Sequence, residues 1–256
     1  FEHSGNECAK VRNGVALFDQ SSFAKYHVEG PGALRVLNQI SANNIDVPVG
    51  KVVYTQWLND RGGIEADLTV TRTGLKTFLV VTAAATQIRD LDYLRKVISR
   101  LNAEDEVTVV DVTSAYATFS VMGPRSREFL QSLTPADMSH EAFPFATSRH
   151  IDLGYGTVRA TRITFVGELG WELYVPTEFS ANVFDTLRDA GEKFDLGYAG
   201  YHALDSLRME KAYRHWSHDI TPDDTPLEAG LGFAVSFKKP DGFIGKEALE
   251  KQKAQG

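Results

Sequence analysis

Cysteine is nearly absent from this sequence of 256 residues, because Cys8 is the only one. A single cysteine allows no disulfide within the chain and no zinc site built from several thiolates. The apolar runs are also too short to cross a bilayer, and we expect no signal peptide. These absences predict a protein of the cytoplasm, or of the mitochondrial matrix if the source is eukaryotic, that does not enter a membrane.

Basic residues are in deficit as well. The sequence has 27 Lys and Arg against 34 Asp and Glu, which gives a formal net charge of −7. No long basic run occurs, so nucleic acids and anionic membranes are disfavoured as partners. With 43% hydrophobic and 24% charged residues, the chain can still bury a large core in one or two domains.

Several familiar catalytic signatures are missing. Gly62 and Gly63 lack the spacing of a phosphate-binding loop, and no dinucleotide-binding glycine motif follows a strand. No serine has the glycine-flanked elbow of an α/β-hydrolase. His202 lies about three helical turns before His215 and His218, a spacing that favours surface or core histidines over ligands. We therefore predict no metal site.

The sequence does contain two strand-like runs, Val52–Leu58 and Asp67–Arg72, joined by a turn with Gly62 and Gly63. The glycines can adopt positive φ, so the pattern predicts a β-hairpin. Asp67 is unusual, because aspartate is depleted from strands. Its ordinary interpretation is a turn residue bonded to nearby backbone. The alternative is a carboxylate that a rigid element aims into a cavity.

A second segment, residues 162–175, repeats the pattern of strand, glycine turn and strand. An acid, Glu172, again opens the returning strand. Upstream of each segment a strand ends in Gly-Pro, at residues 30–31 and 123–124, and a helix follows. These echoes predict a diverged internal duplication.

The two repeat-related halves would cover about residues 20–113 and 114–240. A pseudo-twofold axis would bring Asp67 and Glu172 from equivalent hairpins towards one central cleft. Strands and helices mix without a regular βαβ rhythm. The predicted fold class is therefore α+β, with mainly antiparallel sheets flanked by helices.

Three local expectations concern the ends of this framework. The opening segment, residues 7–18, has the apolar spacing of a helix. A later helix is predicted at Phe179–Phe194, with Thr177 as its cap. A last strand is predicted at Gly232–Phe237.

The two acids suggest a carboxylate chemistry. A carboxylate has two acceptor oxygens side by side, which complement a ring that offers an N–H next to an amino group, as pterins and guanines do. Four aromatic residues close in sequence to the acids could wall such a ring: Trp57, Phe165, Trp171 and Tyr174. Trp216 could join them only through the fold. For each of these aromatics, an ordinary place in the core is the alternative.

Several motifs occur in a fixed order: Leu58-Asn59-x-x-Gly62-Gly63-Ile64-x-x-Asp67-Leu68, Gly123-Pro124, Gly167-Glu168-x-Gly170-Trp171-Glu172, Leu207-Arg208-x-Glu210 and Thr225-Pro226-x-x-Ala229-Gly230-Leu231. Over nearly the whole chain this order resembles the glycine-cleavage T-protein (aminomethyltransferase) family. Within it, residues 210–216 resemble the version fused behind a flavin oxidase or dehydrogenase, as in dimethylglycine and sarcosine dehydrogenases.

The resemblance implies a fold of two interleaved, pseudo-duplicated lobes and a tetrahydrofolate site. Glu172 would grip the pterin, and Asp67 would act as the catalytic residue beside the reacting nitrogens. The implied folate contacts also include Phe165, Leu68, Trp57, Arg208 and Tyr213. FAD would be found only on a fused or partner domain, and a small amine would be the substrate.

The sequence departs from the family pattern in three places. Phe165 replaces the tyrosine of Gly-Tyr-Thr-Gly-Glu, and Leu204 replaces the first arginine of Ala-Arg-Asp-x-Leu-Arg. The family's C-terminal β-domain does not follow residue 256, and the chain begins without methionine. We expect it to be a piece of something longer.

The expected function is tetrahydrofolate-dependent one-carbon transfer from an amine or iminium, within a flavin-linked dimethylglycine or sarcosine type of oxidoreductase. One alternative is a stand-alone aminomethyltransferase or folate-dependent demethylase. Another is a non-catalytic folate-binding scaffold. Asp67 favours chemistry, because passive binding does not need a proton acceptor there.

Overall fold

The chain forms two compact units in a computed structural model that describes residues 2–255. Unit 1 contains the chain up to Ser22 together with Thr113–Tyr213. Unit 2 contains Phe23–Val112 together with the chain from Arg214 onwards. Each unit has one mainly antiparallel sheet flanked by helices, which confirms the predicted α+β class.

The helices are short to medium in length. In chain order they are α1 (Glu2–Asn13), α2 (Ala33–Ile40), α3 (Gln87–Arg100), α4 (Ser126–Gln131), α5 (Ser180–Gly191), α6 (Tyr201–Glu210) and α7 (Lys246–Gln255). Within residues 2–255, no helix has the length and apolar character needed to cross a membrane.

The strands occur singly or in runs of two or three between these helices. In chain order they are β1 (Ala16–Asp19), β2 (Ala24–Glu29), β3 (Val52–Leu58), β4 (Ile64–Arg72), β5 (Thr77–Thr82), β6 (Thr108–Asp111), β7 (Tyr116–Met122), β8 (Thr147–Leu153), β9 (Gly156–Arg162), β10 (Gly170–Pro176) and β11 (Gly197–Tyr198). The sheet of unit 1 has the order β8-β9-β10-β7-β1-β11, and that of unit 2 has the order β3-β4-β5-β2-β6.

The two sheets share an order of four strands, since β8-β9-β10-β7 repeats β3-β4-β5-β2. By this order the hairpin β3–β4 corresponds to β8–β9. Asp67 lies on β4 and Glu172 lies on β10, which corresponds to β5. The two acids therefore do not occupy equivalent strands, and that part of the expectation is wrong. The duplication of the halves themselves stays a prediction.

Each sheet buries one face under its helices. In unit 2, Leu37 and Ile40 of α2 and Leu94 of α3 pack against the apolar side of the sheet. In unit 1 the corresponding core contains Trp171 and Leu173 of β10, and both are fully buried. Because strand residues alternate between faces, the acids next to these core residues point to the opposite side.

Three local expectations are wrong in detail. The opening helix ends at Asn13, and Ala16–Asp19 is a strand because it pairs with β7 and β11. The hydroxyl of Thr177 does not cap α5, because it donates to the carbonyl of Ser114 at 2.8 Å. The segment Gly232–Phe237 is not a strand either; it begins with a 3₁₀ turn.

That segment is apolar for another reason. Ala234 and Val235 are buried, and Val235 packs in an apolar cluster with Leu58 and Ile64 of the β3–β4 hairpin. The apolar residues therefore cover the hairpin of unit 2. They are apolar because of this packing and not because they pair in a sheet.

Gly63 makes the closest approach in this covered hairpin. A Cβ at Gly63 would lie 1.8 Å from the carbonyl oxygen of Pro222. We expect Gly63→Ala to lower the free energy of unfolding by at least about 2 kcal/mol, because the backbone must shift. Denaturant unfolding measures this. Gly5→Ala in α1 is the control, since no heavy atom lies within 4 Å of the added Cβ, and an equal loss in both variants would contradict the prediction.

Candidate functional site

Asp67 lies on the polar face of β4 in unit 2. Its neighbours Ala66 and Leu68 point into the core, so alternation turns the carboxylate to the other side, where it is half-buried. Gln56 lies directly opposite on β3, and its Nε2 donates to Oδ1 of Asp67 at 2.8 Å. The hydroxyl of Tyr54, two residues along the same strand, also hydrogen-bonds to the carboxylate. The hairpin thus holds this acid in a fixed orientation.

The surroundings of Asp67 tune its protonation. Burial raises the pKa of Asp67 to about 6, while the hydrogen bonds from Gln56 and Tyr54 and the charge of Arg214 act in the opposite direction. Burial and the nearby Asp67 raise the pKa of Tyr54, so its hydroxyl stays a donor. A carboxyl with a pKa near neutral can accept a proton and release it again under ordinary conditions.

Gln56 also leaves an acceptor available beside the carboxylate. Its side chain is fully buried, and its Oε1 has no hydrogen-bond partner among the described residues. An unsatisfied buried acceptor is unfavourable unless another donor reaches it. Together with Asp67, this oxygen forms a pair of acceptors suited to a ligand that carries N–H groups.

Arg214 and an exposed ring flank this part of unit 2. Gly230 has a φ of +67°, and a Cβ there would lie 2.6 Å from Nη2 of Arg214. Glycine is needed because the backbone turns into the left-handed region and approaches the guanidinium closely. Phe233, which is 76% exposed, stacks on Tyr54 with ring centroids 6.2 Å apart.

Four residues of this arrangement were not identified from the sequence: Tyr54, Gln56, Arg214 and Phe233. The sequence did hold one signal for the first two, because they alternate along the strand that pairs with the strand of Asp67. The other two are distant in sequence. Only the fold of the last segment of unit 2 brings them close.

Glu172 lies on the polar face of the sheet in unit 1. It is 9% exposed and stands between Ser120 on β7 and Thr161 on β9. The hydroxyl of Tyr174 donates to its Oε2. Burial and the Glu172 carboxylate raise the pKa of Tyr174 well above its ordinary value, so this hydroxyl remains a donor.

A positive charge shares that face. Arg159 lies opposite Tyr174, and it donates to the hydroxyl of Ser148 and to Nε2 of His150 at 3.1 Å. Because a guanidinium cannot accept, Nε2 is the acceptor and the proton of the imidazole is on Nδ1. Thr118, also on this face, is fully buried, and its Oγ1 has no partner among residues 2–255. The face therefore has an acid, a guanidinium and several uncharged polar groups.

The other predicted residues of unit 1 form a separate group. Phe165 and Tyr213 stack, with ring centroids 6.2 Å apart and planes at 27°. Arg208 is buried at the end of α6, where it pairs with Asp205 and donates to the carbonyl of Tyr213 at 3.0 Å. Arg208 thus fixes the turn that positions the stacked ring.

Two predicted folate contacts in unit 2 point away from Asp67. Trp57 is fully buried in the core, and its indole N–H donates to the hydroxyl of Ser41. Leu68 packs in the same core. Both side chains stabilise the sheet and lie on the opposite face of the hairpin, so we leave them out of the proposed site. The meeting of Asp67 and Glu172 in one cleft stays a prediction.

Comparison with known proteins gives one family match and several long relatives. Residues 1–239 match the family described as the GCVT N-terminal domain. The chain is 49% identical to 4-methylaminobutanoate oxidase (formaldehyde-forming) of Paenarthrobacter nicotinovorans, over 98% of this chain and 30% of that protein. It is 39% identical to mitochondrial sarcosine dehydrogenase of Homo sapiens, over 98% of this chain and 28% of that protein. The chain therefore spans about three tenths of the length of these relatives.

Two further proteins are matched over more of their length. The chain is 37% identical to the aminomethyltransferase of Halothermothrix orenii, over 96% of this chain and 67% of that protein. Its structure resembles glycine cleavage system aminomethyltransferase T from Bartonella henselae, with a TM-score of 0.85 and 26% identity. That resemblance covers 99% of this chain and 67% of the other.

Proposed function

Because the chain belongs to the GCVT N-terminal domain family, we propose that it transfers one-carbon units to tetrahydrofolate. Two relatives are named as oxidising or dehydrogenating enzymes of N-methylated amines, and they are about three times as long as this chain. We therefore place the chain within a flavin-linked amine oxidoreductase. FAD then belongs to a fused or partner domain, and a small amine or its iminium is the source of carbon.

The observation that carries this proposal is the environment of Asp67. A carboxylate with a pKa of about 6 lies beside the buried acceptor Oε1 of Gln56, which has no hydrogen-bond partner in the described part of the chain. A reduced pterin offers N–H and amino groups, so its donors fit this pair of acceptors. Burial also raises the pKa of Asp90, so the feature that distinguishes Asp67 is the buried Oε1 of Gln56 beside it, which has no partner among residues 2–255.

Tetrahydrofolate, when bound, supplies the nitrogen that takes up the one-carbon unit. While charged, Asp67 would stabilise the positive charge that develops as this nitrogen bonds to carbon, and it would then accept the proton that the nitrogen loses. Gln56 and Tyr54 hold the carboxylate in place, so that it is oriented before the reaction. Arg214 favours the charged form of Asp67. Glu172 binds the ring donors and fixes the ligand.

A second candidate is a stand-alone aminomethyltransferase. The 37% identity to such an enzyme, with 67% of its length covered, favours this alternative. It would act without a flavin partner, so it should transfer carbon from an aminomethyl donor in the absence of amine oxidation. Assaying both donors with the full-length protein separates the two candidates.

Titration calorimetry with tetrahydrofolate tests the proposed function directly. We expect one saturable site with a dissociation constant in the micromolar range, as is usual for enzyme substrates. A fully oxidised pterin, titrated in the same way, is the ligand with which this binding is compared. Absence of saturable binding to the folded, full-length protein would reject the folate proposal.

The pH profile gives a second test through Arg214. Its charge lowers the pKa of Asp67, so Arg214→Gln should raise that pKa above about 6. The acidic limb of the activity profile should then move to higher pH, since Asp67 must be deprotonated to accept a proton. Arg214→Lys keeps a charge and should show a smaller movement. An unchanged limb in the glutamine variant would contradict the role of Asp67 as the base.

A further inference from the structure

Three arginines gather over two buried aromatic rings in unit 1. The guanidinium carbons of Arg127 on α4 and Arg162 on β9 lie 5.3 and 5.7 Å from the centre of the Trp171 ring. That of Arg149 on β8 lies 4.3 Å from the centre of the Phe143 ring. Arg149 and Arg162 lie on the helix-covered side of the sheet, opposite the face that carries Glu172, because their strand positions alternate with it. Arg127 reaches the same Trp171 ring from α4.

No carboxylate forms a salt bridge with any of these three arginines within residues 2–255. Arg12, Arg72 and Arg89, which are also partly buried, each pair with an acid. Burial is the main cause that lowers the pKa of Arg162, and repulsion from Arg127 lowers it further. Burying charge without a counterion is unfavourable.

The charge of the arginines affects the pKa of one nearby acid, Asp137. Arg149 and Arg127 contribute to lowering the pKa of Asp137, although bonds from Ser139 contribute more. The carboxylate of Asp137 accepts the backbone N–H of Ser139 at 2.8 Å, whereas Arg149 donates to the backbone carbonyl of Asp137. This acid is exposed and turned to its own loop, so the cluster keeps an excess of positive charge.

The arginines also have donors to spare. Arg127 donates to the carbonyl of Met138, and Nη1 of Arg162 donates to the carbonyl of Phe143 at 2.7 Å and to Nδ1 of His140 at 2.9 Å. These bonds use few of the five N–H groups that each guanidinium carries. They draw the loop that contains His140 around the cluster.

Three buried nitrogen donors have no partner among the described residues: Nε of Arg149, Nε of Arg162 and Nε1 of Trp171. Trp171 is fully buried and Arg162 is 8% exposed, so these donors belong to the interior. Buried donors are normally satisfied by protein, water or ligand. Here, unsatisfied donors and unneutralised charge occur at the same place.

We propose that this arginine cluster binds a small oxyanion, either a phosphate or a carboxylate. Guanidinium groups match both through paired N–H bonds. The anion would neutralise the charge and occupy spare donors, and the half-exposed Arg127 and Arg149 with the exposed His140 open the cluster to solvent. The proposal is independent of the folate function, because it concerns the other face of the sheet.

Phosphorus NMR and calorimetry with inorganic phosphate test the site, using the full-length protein without tetrahydrofolate at constant ionic strength. We expect saturable binding that chloride does not reproduce. Acetate and citrate, titrated in parallel, distinguish the two sources: tighter phosphate binding assigns a phosphate ligand, and tighter citrate or acetate binding assigns a carboxylate. No saturable binding of any of the three would overturn the proposal.

Variants locate the binding. Arg127→Gln and Arg149→Gln should each weaken it roughly tenfold, because a charged hydrogen-bond donor is lost. Arg188→Gln on α5 is the control; Arg188 is exposed and paired with Asp185, and its loss should leave anion affinity unchanged. Thermal unfolding checks that each variant is folded. Equal affinity in all the folded variants would also overturn the proposal.

Discussion

Asp67→Asn is expected to lower one-carbon transfer to tetrahydrofolate by at least a hundredfold, while folate affinity stays within about threefold of the parent. Asparagine keeps the shape and accepts hydrogen bonds from Gln56 and Tyr54, but it cannot take up a proton. Loss of a positioned base commonly lowers rate 10²–10⁴-fold. The measurement is the share of amine-derived carbon recovered on the folate, with oxidation of the amine followed separately in the full-length protein.

Stability provides the control for this variant. The pKa of Asp67 is about 6 in the fold against 3.8 for the free side chain. Because the fold favours the protonated form of Asp67, the contribution of this residue to stability is most favourable below pH 3.8. The contribution is lost as the pH rises through about 6. At pH 8 the charged carboxylate is therefore unfavourable by roughly 1–3 kcal/mol, which asparagine avoids.

Asp67→Asn should accordingly resist denaturant better at pH 8, so its loss of transfer cannot come from unfolding. Asp92→Asn on α3 is a matched control, because Asp92 is exposed and pairs with Lys96 one helical turn away. It should change neither transfer nor the pH dependence of stability. Undiminished transfer by Asp67→Asn would remove Asp67 from the mechanism.

Glu172→Ala is expected to weaken tetrahydrofolate binding about a hundredfold. Two hydrogen bonds to a carboxylate contribute on the order of 3 kcal/mol, which corresponds to that factor in the dissociation constant. The change also leaves the buried hydroxyl of Tyr174 without its acceptor, so we expect a loss of about 1–3 kcal/mol in the free energy of unfolding. Calorimetry measures the first effect and denaturant titration the second.

Glu172→Gln separates binding from stability. Glutamine still accepts the bond from Tyr174, so it should restore most of the stability and only part of the folate affinity. Glu178→Ala is the control, because Glu178 is exposed on the 3₁₀ turn that follows β10. Folate affinity unchanged in the folded Glu172→Ala protein would contradict the proposed role.

The order of motifs was sufficient to predict the family, which the match over residues 1–239 confirms. Asp67 stood out because aspartate is unfavourable inside a strand, and its environment in the fold accounts for that choice. Gln56 could not be identified in the same way. Its contact depends on strand register, and a slip of one residue would place Trp57 opposite Asp67 instead.

Short alternating patterns were the weakest guides. Residues 172–175 resemble residues 67–70 because strands of any origin alternate in this way, and only the order of strands in the sheets shows that they are not equivalent. Gly232–Phe237 is apolar too, but it begins with a 3₁₀ turn and is not part of either sheet. Pairing partners are a property of the whole fold, so local sequence cannot supply them.

The β3–β4 hairpin of unit 2 is covered by residues that the ribosome adds much later. The indole N–H of Trp216 donates to the carbonyl of Ile64, and this bond spans 152 positions of the chain. At a synthesis rate of 5–20 residues per second, roughly 8–30 s pass between the synthesis of the hairpin tip and the synthesis of Trp216, which covers it. During that time the apolar Leu58 and Ile64 are open to solvent and to chaperones. Nascent chains of this protein should therefore be captured by chaperones until the segment beyond Arg214 has emerged.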